Sequence, residues 1–274
     1  MKISVCIPMY NEAQIAADTA RTLWTAMDAL RREKGWDFEV IFADDGSRDN
    51  CADRVRNVAE AEHLDGVRMV GYGENKGKGA AVRHAVLSSE GDIVLYTDCD
   101  LAYGTDVIGE AAALFTDGVD AVIGSRRLSD DGYEGYTPLR RLASKVYIKV
   151  LCTVGGFKLS DSQCGFKSFR GEAARKIFEK CETNGFAFDF EVLMLASKLG
   201  LNIREMPVRI INHRESKVTC CGTASGCCGI WRRSKSASAV SSLTDRCHIL
   251  RKNGGDTDEI IPRNAAEGLE CQSL

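Results

Sequence analysis

The chain has 274 residues, of which 44% are hydrophobic and 27% charged, with 36 Lys and Arg against 39 Asp and Glu. This length suits one large α/β domain, or a compact domain with a tail, and the apolar content excludes wholesale disorder. A net charge of -3 lacks the basic surplus typical of nucleic-acid binding, so no nucleic-acid partner is expected. No stretch approaches the ~20 apolar residues that span a bilayer, which predicts a cytoplasmic protein without a transmembrane segment.

The first hundred residues alternate between patterns typical of strands and of helices. Short runs rich in Val and Ile predict strands, and apolar residues three or four positions apart predict helices. The predicted order is strand 2–7 ended by Pro8, a helix over 15–30 capped by Asn11, strand 38–43, helix 51–62, strand 67–70, helix 78–88 and strand 92–96. This alternation predicts an α/β fold with a doubly wound, mostly parallel sheet and helices on both faces. Such sheets bind ligands beyond the carboxyl ends of their strands.

Residues 101–218 show a less regular pattern. The predicted order is helix 106–115, strand 120–123, a polar loop over 130–138, helix 139–154, strand 166–169, helices 171–180 and 189–199, and strand 203–211, where Pro207 indicates an edge or a bulge. Beyond Cys220 the Ser and Gly content rises and the apolar periodicity fades. We therefore expect one domain over 1–218 and a weakly ordered, Cys/Ser/Gly-rich tail over 219–274.

Ten of the 12 cysteines fall into two groups, and the other two are Cys247 and Cys271. Six are scattered singly through predicted elements, which is typical of reduced, mostly buried thiols; they are Cys6, Cys51, Cys99, Cys152, Cys164 and Cys181. In the tail, Cys220 and Cys221 are adjacent, as are Cys227 and Cys228. Adjacent pairs do not have the usual spacing of zinc ligands, so a zinc site there is disfavoured.

Acidic or polar clusters follow three of the predicted strands. They are Asn11-Glu12, Asp44-Asp45-Gly46-Ser47 and Asp98-Cys99-Asp100. Carboxylates that converge without His or Cys suit a hard divalent cation, Mg²⁺ or Mn²⁺, that substrate phosphates complete. Any one cluster alone is better explained as ordinary turn and capping residues. Three of them at successive strand ends favour a binding site.

Residues 75–81 (Asn-Lys-Gly-Lys-Gly-Ala-Ala) open the helix before strand 92–96. Small residues allow backbone N–H groups to approach a diphosphate, and Lys76 and Lys78 add positive charge. Val82 replaces the last glycine of a dinucleotide fingerprint, and the first strand–helix turn lacks glycines. A NAD enzyme or a kinase is therefore disfavoured.

These motifs occur in an order that resembles glycosyltransferase family 2, and within it the dolichyl-phosphate glucosyl- and mannosyltransferases. The resemblance covers about residues 2–218, and the 163–167 motif favours the β-glucosyl branch. The segments that carry it are 5–12 (VCIPMYNE), 44–47 (DDGS), 75–79 (NKGKG), 97–101 (TDCDL), 124–126 (GSR), 161–167 (DSQCGFK), 188–191 (FDFE) and 215–217 (ESK).

The resemblance implies a GT-A fold in which residues 1–103 bind a nucleotide sugar and residues 104–218 bind the acceptor. It implies metal-dependent, inverting transfer of a hexose, with glucose and UDP-glucose favoured, to a polyprenyl or dolichyl phosphate. GDP-mannose as donor, or a hydroxyl of a polysaccharide or soluble molecule as acceptor, are the alternatives.

By the same resemblance, Asp100 together with Asp98 holds Mg²⁺ or Mn²⁺ at the donor diphosphate, and Asp98 also lies against the nucleotide. Glu12 and one of Asp44 and Asp45 contact the ribose and the base. The further substrate-binding residues that it implies are Pro8, Tyr10, Lys78, Gln163 and Lys217.

Catalysis at the acceptor is assigned to residues of the second part of the chain. Arg126 ends a predicted strand, where its guanidinium suits bidentate capture of a phosphate, although a surface arginine is the simpler alternative. A phosphate monoester is largely ionised at pH 7, so the usual general base is dispensable. Asp161 ranks first as an acceptor-orienting group or base. Asp189 and Glu191 are alternatives, and both also fit the start of a helix.

The predicted helix over 139–154 combines Leu and Val at helical spacing with Arg and Lys alongside. Such a helix can lie on the anionic cytoplasmic face of a membrane, where a lipid phosphate is presented, or it can pack on the core with a solvated charged face. The sequence lacks the membrane segments of many family members. A binding protein without activity is a third hypothesis, which the presence of both Asp98 and Asp100 disfavours.

Overall fold

The computed structural model describes residues 1–129, 153 and 155–212, in which strands and helices alternate as far as residue 125. The elements in chain order are β1 (Lys2–Met9), α1 (Ala16–Lys34), β2 (Asp37–Asp45), α2 (Cys51–Ala61), β3 (Val67–Tyr72), α3 (Lys78–Leu87), β4 (Ile93–Tyr96), α4 (Asp106–Ala113), β5 (Ala121–Ser125), a 3₁₀ turn (Arg126–Leu128), β6 (Lys167–Arg170), α5 (Gly171–Lys180), α6 (Phe188–Lys198) and β7 (Ile203–Pro207).

The seven described strands form one sheet in the order β3-β2-β1-β4-β6-β5-β7. β6 runs antiparallel to β4 and β5, and every other pairing is parallel. The doubly wound, mostly parallel sheet that the alternation predicts is therefore confirmed. β7 lies at an edge of the sheet, which is where Pro207 was expected because proline donates no ladder hydrogen bond.

Alternating strand residues build a separate core on each face of the sheet. Ile3, Val5 and Ile7 pack with buried residues of α1, α2 and α4 on one face. Cys6, Ile41 and neighbouring strand residues pack with α3, α5 and α6 on the other. Because both faces are buried, the central strands are almost continuously apolar.

The antiparallel direction of β6 places the segment before it at the carboxyl edge of the parallel strands. Lys167, the first residue of β6, is level with Tyr96 at the end of β4 and with Ile123 in β5. Residues 161–166 therefore lie at the edge from which the β4–α4 loop also leaves. The fold brings the two acidic motifs, 98–100 and 161, to the same edge of the sheet.

Three local expectations are wrong. The strand predicted over 203–211 ends at Pro207. Pro8 does not end β1, which continues to Met9; the pairing of β1 with β4 stops at Cys6, so Pro8 costs no hydrogen bond there. Asn11 is not a helix cap, because α1 begins at Ala16. Its backbone is left-handed (φ 53°), a conformation that Asn tolerates, and its side chain binds another loop.

Several predicted features lie outside the described residues: the loop 130–138, nearly all of the helix 139–154, Lys217, Cys152 and the tail 219–274. Five of the scattered cysteines, at positions 6, 51, 99, 164 and 181, are described, and all are free and buried as predicted. Within 1–129 and 155–212, no helix combines the length and apolar character needed to traverse a bilayer.

Candidate active site

Lys78 and Asp98 form an ion pair at the carboxyl edge of the sheet. Lys78 is the first residue of α3, and its ammonium group contacts Asp98 Oδ1 just beyond the end of β4. Burial alone would lower the pKa of Lys78, but the carboxylates of Asp98 and Asp189 outweigh burial and raise it. The lysine therefore carries a fixed positive charge at this edge of the sheet.

Asp100 lies beside this pair and carries an unfavourable negative charge. Burial raises its pKa, and the neighbouring charge of Asp98 raises it further, although its carboxylate accepts the Ala102 N–H at 3.2 Å. The next residue, Leu101, is left-handed (φ 48°), which costs roughly 1 kcal/mol for a residue with a Cβ. Its buried side chain stabilises this turn within the core. The turn holds two carboxylates close enough to repel each other.

This carboxylate pair fits a hard divalent cation. A cation between Asp98 and Asp100 would remove the repulsion that raises the pKa of Asp100, and carboxylate oxygens suit Mg²⁺ and Mn²⁺. The described residues contain no cluster of three or more His, Cys, Asp or Glu side chains able to hold a metal ion. Two protein ligands completed by water and phosphate oxygens are the normal arrangement for Mg²⁺.

The β1–α1 loop joins the same site. Asn11 accepts the Arg48 N–H at 2.8 Å, and the Asn11 N–H donates to Ser47 Oγ at 3.0 Å. These two bonds tie the ends of β1 and β2 together. Glu12 follows Asn11, and its charge contributes to the raised pKa of Asp100. Of the other two predicted residues there, Tyr10 is exposed and Pro8 is buried within β1.

Asp44 and Asp45 differ sharply although they are adjacent. The buried carboxylate of Asp45 accepts hydrogen bonds from Tyr72 Oη at 2.7 Å, Lys76 N at 2.8 Å and Gly77 N at 2.9 Å. Asp44 is only half-buried and accepts the Ser47 N–H at 3.1 Å. Asp45 is thus bound by the loop before α3, and Asp44 is the more accessible carboxylate of the two.

The small residues at the start of α3 pack against protein. A Cβ on Gly77 would lie 2.6 Å from Asn184 O, and a Cβ on Gly79 would lie 2.6 Å from Phe188 Cβ. The N–H groups of Lys76 and Gly77 already donate to Asp45. The expectation that these glycines expose backbone N–H groups to a diphosphate is therefore wrong for Gly77, whose N–H is occupied.

A second ion pair joins Arg126 and Asp161. Arg126 begins the 3₁₀ turn after β5, and its Nε and Nη2 donate to the two carboxylate oxygens of Asp161 at 2.7 and 3.0 Å. Burial alone would raise the pKa of Asp161, but the guanidinium outweighs it and holds the pKa below its usual value. Gln163 N donates to Asp161 Oδ1 at 3.1 Å, so the Gln163 backbone is part of this unit.

Residues 161–165 connect the two ion pairs. Gly165 N donates to Tyr103 Oη at 3.1 Å, and a Cβ on Gly165 would overlap with Asp98 Oδ2. With glycine at this position the segment passes directly against the Asp98 carboxylate, and a Cβ would displace that carboxylate. The described site therefore has Lys78, Asp98 and Asp100 at one end of this segment and Arg126 with Asp161 at the other.

Asp189 and Glu191 have internal partners. Asp189 accepts hydrogen bonds from Tyr96 Oη at 2.9 Å and from the fully buried Lys167 Nζ at 2.6 Å. Glu191 accepts the N–H groups of Thr183 at 2.7 Å and Glu182 at 3.1 Å. Lys167 and Tyr96, which both bind Asp189, were not predicted as site residues. A buried lysine is recognisable only once the charge that pairs with it is known.

A family model matches the chain from residue 4 to residue 178, and its description is "Glycosyl transferase family 2". The chain belongs to this family of glycosyltransferases, as the motifs predicted. Curated relatives include dolichyl-phosphate beta-glucosyltransferases of Trichomonas vaginalis (31% identical over 79% of this chain and 66% of the relative), Dictyostelium discoideum (30%, 75% and 65%) and Saccharomyces cerevisiae (30%, 75% and 66%). The chain thus spans slightly less than two thirds of the length of these relatives.

Solved structures confirm the GT-A fold. Glucosyl-3-phosphoglycerate synthase from Mycobacterium tuberculosis, solved with UDP, superposes with a TM-score of 0.61 at 19% identity, covering 86% of this chain and 82% of that one. Mannosyl-3-phosphoglycerate synthase from Rubrobacter xylanophilus superposes with a TM-score of 0.56 at 18% identity, covering 96% and 79%. At these identities the likeness concerns the fold alone.

Proposed function

We propose that this chain transfers glucose from UDP-glucose to a polyprenyl or dolichyl phosphate, with inversion at the sugar carbon and with the help of Mg²⁺ or Mn²⁺. The observation that carries the proposal is the pair of charged sites at the two ends of residues 161–165. One end offers carboxylates and a lysine for a diphosphate with its cation, and the other offers an arginine for a second phosphate. The names of the relatives at about 30% identity support the same donor sugar and acceptor.

In this proposal residues 1–103 bind the donor. Asp44 and Glu12, at the ends of β2 and β1, bind the ribose and base, with Pro8 and Tyr10 shaping the same edge. Asp98 and Asp100 hold the cation, and Lys78 supplies the permanent charge beside it. When bound, the cation neutralises charge on the diphosphate as UDP departs. Several structural neighbours were solved with Mn²⁺ and UDP, which supports a divalent metal.

Residues 104–218 would bind the acceptor. An oxygen of the acceptor phosphate forms the new bond to the sugar carbon, and the bond from that carbon to the UDP oxygen breaks with its electron pair leaving on UDP. UDP-glucose is an α-glycoside, so a single displacement gives the β product that the names of the relatives specify. Arg126 orients the acceptor phosphate through the guanidinium N–H groups that Asp161 does not bind.

Asp161 acts in this proposal as an orienting group, since its lowered pKa makes it a weak base. An acceptor phosphate is already ionised near pH 7, so no proton has to be removed. Asp189 and Glu191 then stabilise the surrounding loops, because their carboxylates are occupied by internal donors. Gln163 and Lys217 remain proposed substrate contacts.

An exposed apolar group near the acceptor end supports a lipid acceptor. Leu128, Ile210 and Ile211 follow the ends of the adjacent strands β5 and β7, and all three are exposed, Ile211 by 61%. Ile211 N donates to Ala102 O at 2.8 Å, which ties this group to the loop after Asp100. We propose that these residues, with the predicted helix 139–154, lie at the cytoplasmic face of the membrane that presents the acceptor.

A transfer assay tests the proposal. The full chain is incubated with radiolabelled UDP-glucose or GDP-mannose, dolichyl phosphate in detergent, and Mn²⁺ or Mg²⁺, and the mixture is then extracted with organic solvent. We expect label from UDP-glucose in the organic phase and none without the metal. Label that stays aqueous with both donors would contradict the lipid acceptor, and extraction of mannose in place of glucose would contradict the donor.

A further inference from the structure

Glu205, on the edge strand β7, binds the segment that carries Asp161. Its carboxylate accepts hydrogen bonds from Ser160 N at 2.8 Å, from Ser160 Oγ at 2.7 Å and from Asp161 N at 3.3 Å. Glu205 is level with Ile123 in the neighbouring strand β5. The Glu205 side chain therefore binds residues 160 and 161 from a strand that contains none of the proposed site residues.

The contacts of Glu205 continue to the Arg126 ion pair. Ser160 Oγ lies 2.5 Å from Ser125 Oγ, and Ser125 is the last residue of β5, directly before Arg126. Glu205 thus binds the backbone of Asp161 directly. It is also linked through the Ser160 hydroxyl to Ser125, the residue before Arg126. Charge-assisted hydrogen bonds to backbone N–H groups are strong and directional, so they fix the position of this segment.

From these contacts we propose that Glu205 is a positioning residue for the acceptor end of the site. This inference rests on the proposed function, because it assumes that Arg126 and Asp161 orient the acceptor phosphate. Glu205 sets the alignment of this pair through the backbone of residues 160 and 161. Donor binding depends on Lys78, Asp98 and Asp100, which Glu205 does not contact, so its replacement affects the two substrates differently.

The test replaces Glu205 by Gln, whose NH₂ group would face the N–H and hydroxyl donors that the carboxylate now accepts. The matched control is Glu39→Gln. Glu39 likewise accepts a serine hydroxyl (Ser4, 2.7 Å) and a backbone N–H (Glu90, 2.8 Å), but it lies near the amino ends of β1 and β2. Both variants weaken acceptance of a serine hydroxyl and a backbone N–H, at opposite ends of the sheet, and Glu39→Gln also weakens the ion pair of Glu39 with Arg68.

Two measurements decide the outcome. In Glu205→Gln we expect the KM for dolichyl phosphate to rise about tenfold while the KM for UDP-glucose changes by less than about twofold. We also expect faster solvent exchange of the Arg126 Nε–H in ¹H–¹⁵N NMR spectra. Glu39→Gln should lower the Tm and change neither KM nor this resonance. Equal effects on both KM values, or an unchanged acceptor KM and Arg126 signal, would overturn the proposal.

Ser160→Ala provides a second variant should Glu205→Gln fail to fold. It keeps the backbone hydrogen bonds of Glu205 and removes only the hydroxyl between Glu205 and Ser125, so we expect the acceptor KM alone to rise, by about threefold. An unchanged acceptor KM in this variant would overturn the proposal as well. If the wild-type chain transfers no sugar to dolichyl phosphate, the proposed function fails, and the Arg126 resonance still decides whether Glu205 positions the ion pair.

Discussion

The two ends of residues 161–165 place their key carboxylates in opposite electrostatic states. Asp100 is held near another carboxylate, and burial with this repulsion raises its pKa. Asp161 is bound by a guanidinium, which lowers its pKa. At the first end Lys78 pairs with Asp98, and the described residues give Asp100 no ion pair of its own, whereas at the second end Asp161 is paired with Arg126.

In the proposed function, this difference allows one edge of the sheet to bind two phosphate groups in different ways. A carboxylate pair attracts a mobile cation that arrives with a diphosphate. A built-in arginine binds an anionic phosphate directly, and its own aspartate keeps it in place. The following predictions test whether the two ends behave separately.

The largest effect is expected for Asp100→Ala. Loss of one of the two proposed cation ligands should lower the transfer rate by about 10³-fold or more, the scale of transition-state charge stabilisation. The transfer assay with UDP-glucose measures it. Asp106→Ala, an exposed aspartate at the start of α4, is the control and should keep the wild-type rate. Activity of Asp100→Ala within about tenfold of wild type would contradict the proposed role.

Asp161→Asn should impair transfer and leave donor binding intact. We expect a loss of about 10²-fold in the transfer rate, because Arg126 loses the partner that orients it. The free energy of unfolding should fall by about 2–3 kcal/mol, since a partly buried arginine keeps its charge without a counter-charge.

Denaturant unfolding and UDP calorimetry measure these effects, with Asp117→Asn at an exposed turn as the control. A UDP affinity that falls together with the transfer rate would show that the two ends are not separate.

Gly165→Ala should impair the end of the site formed by Lys78, Asp98 and Asp100 and leave the Arg126–Asp161 pair intact. The added Cβ overlaps with Asp98 Oδ2, so the Asp98 carboxylate must shift from the position in which it contacts Lys78. We expect UDP to bind about tenfold more weakly, while the exchange of the Arg126 Nε–H stays slow. Gly185→Ala is the matched control, because a Cβ there meets no atom within 4 Å. Equal UDP affinity in both variants would count against the placement of Asp98.

The smallest effect concerns pH. Asp100 has a folded-state pKa above the usual 3.8, so the metal-free protein gains stability as the pH falls through that raised pKa. Asp161 has a pKa below 3.8, so its ion pair stabilises the protein above 3.8 and is lost only at lower pH. As the pH is lowered from 7, the rise in Tm that Mn²⁺ and UDP produce should disappear before the Arg126 pair breaks.

Tm measurements from pH 3 to pH 7, with and without Mn²⁺ and UDP, show which of the two changes comes first as the pH is lowered. In Asp100→Asn the first step should be absent. The opposite order of the two steps would contradict the assignment of the two carboxylates.

Much of the fold was predictable because strands and helices leave different periodicities. The helix over 51–62 and the strand over 67–70 agree with α2 and β3 to within two residues. The antiparallel direction of β6 was not predictable, since a short buried strand has the same pattern in either direction.

The candidate site was predictable where a motif lies at a strand end, as Asp98 and Asp100 do. The choice between Asp44 and Asp45 was not, because adjacent strand residues point to opposite faces and the sequence alone does not identify the face. Glu205 was missed for a related reason. Its partners at residues 160 and 161 lie more than 40 positions away, and a glutamate in an edge strand has no local signature.

The central claim is that the edge formed by Asp98, Asp100 and Lys78 binds a nucleotide diphosphate together with a divalent cation. Calorimetric titration of the wild-type chain and of Asp100→Ala with UDP, with and without Mn²⁺, tests it most directly. The account predicts that Mn²⁺ strengthens UDP binding in the wild type and has no such effect in the variant. The same enhancement by Mn²⁺ in both proteins would contradict it.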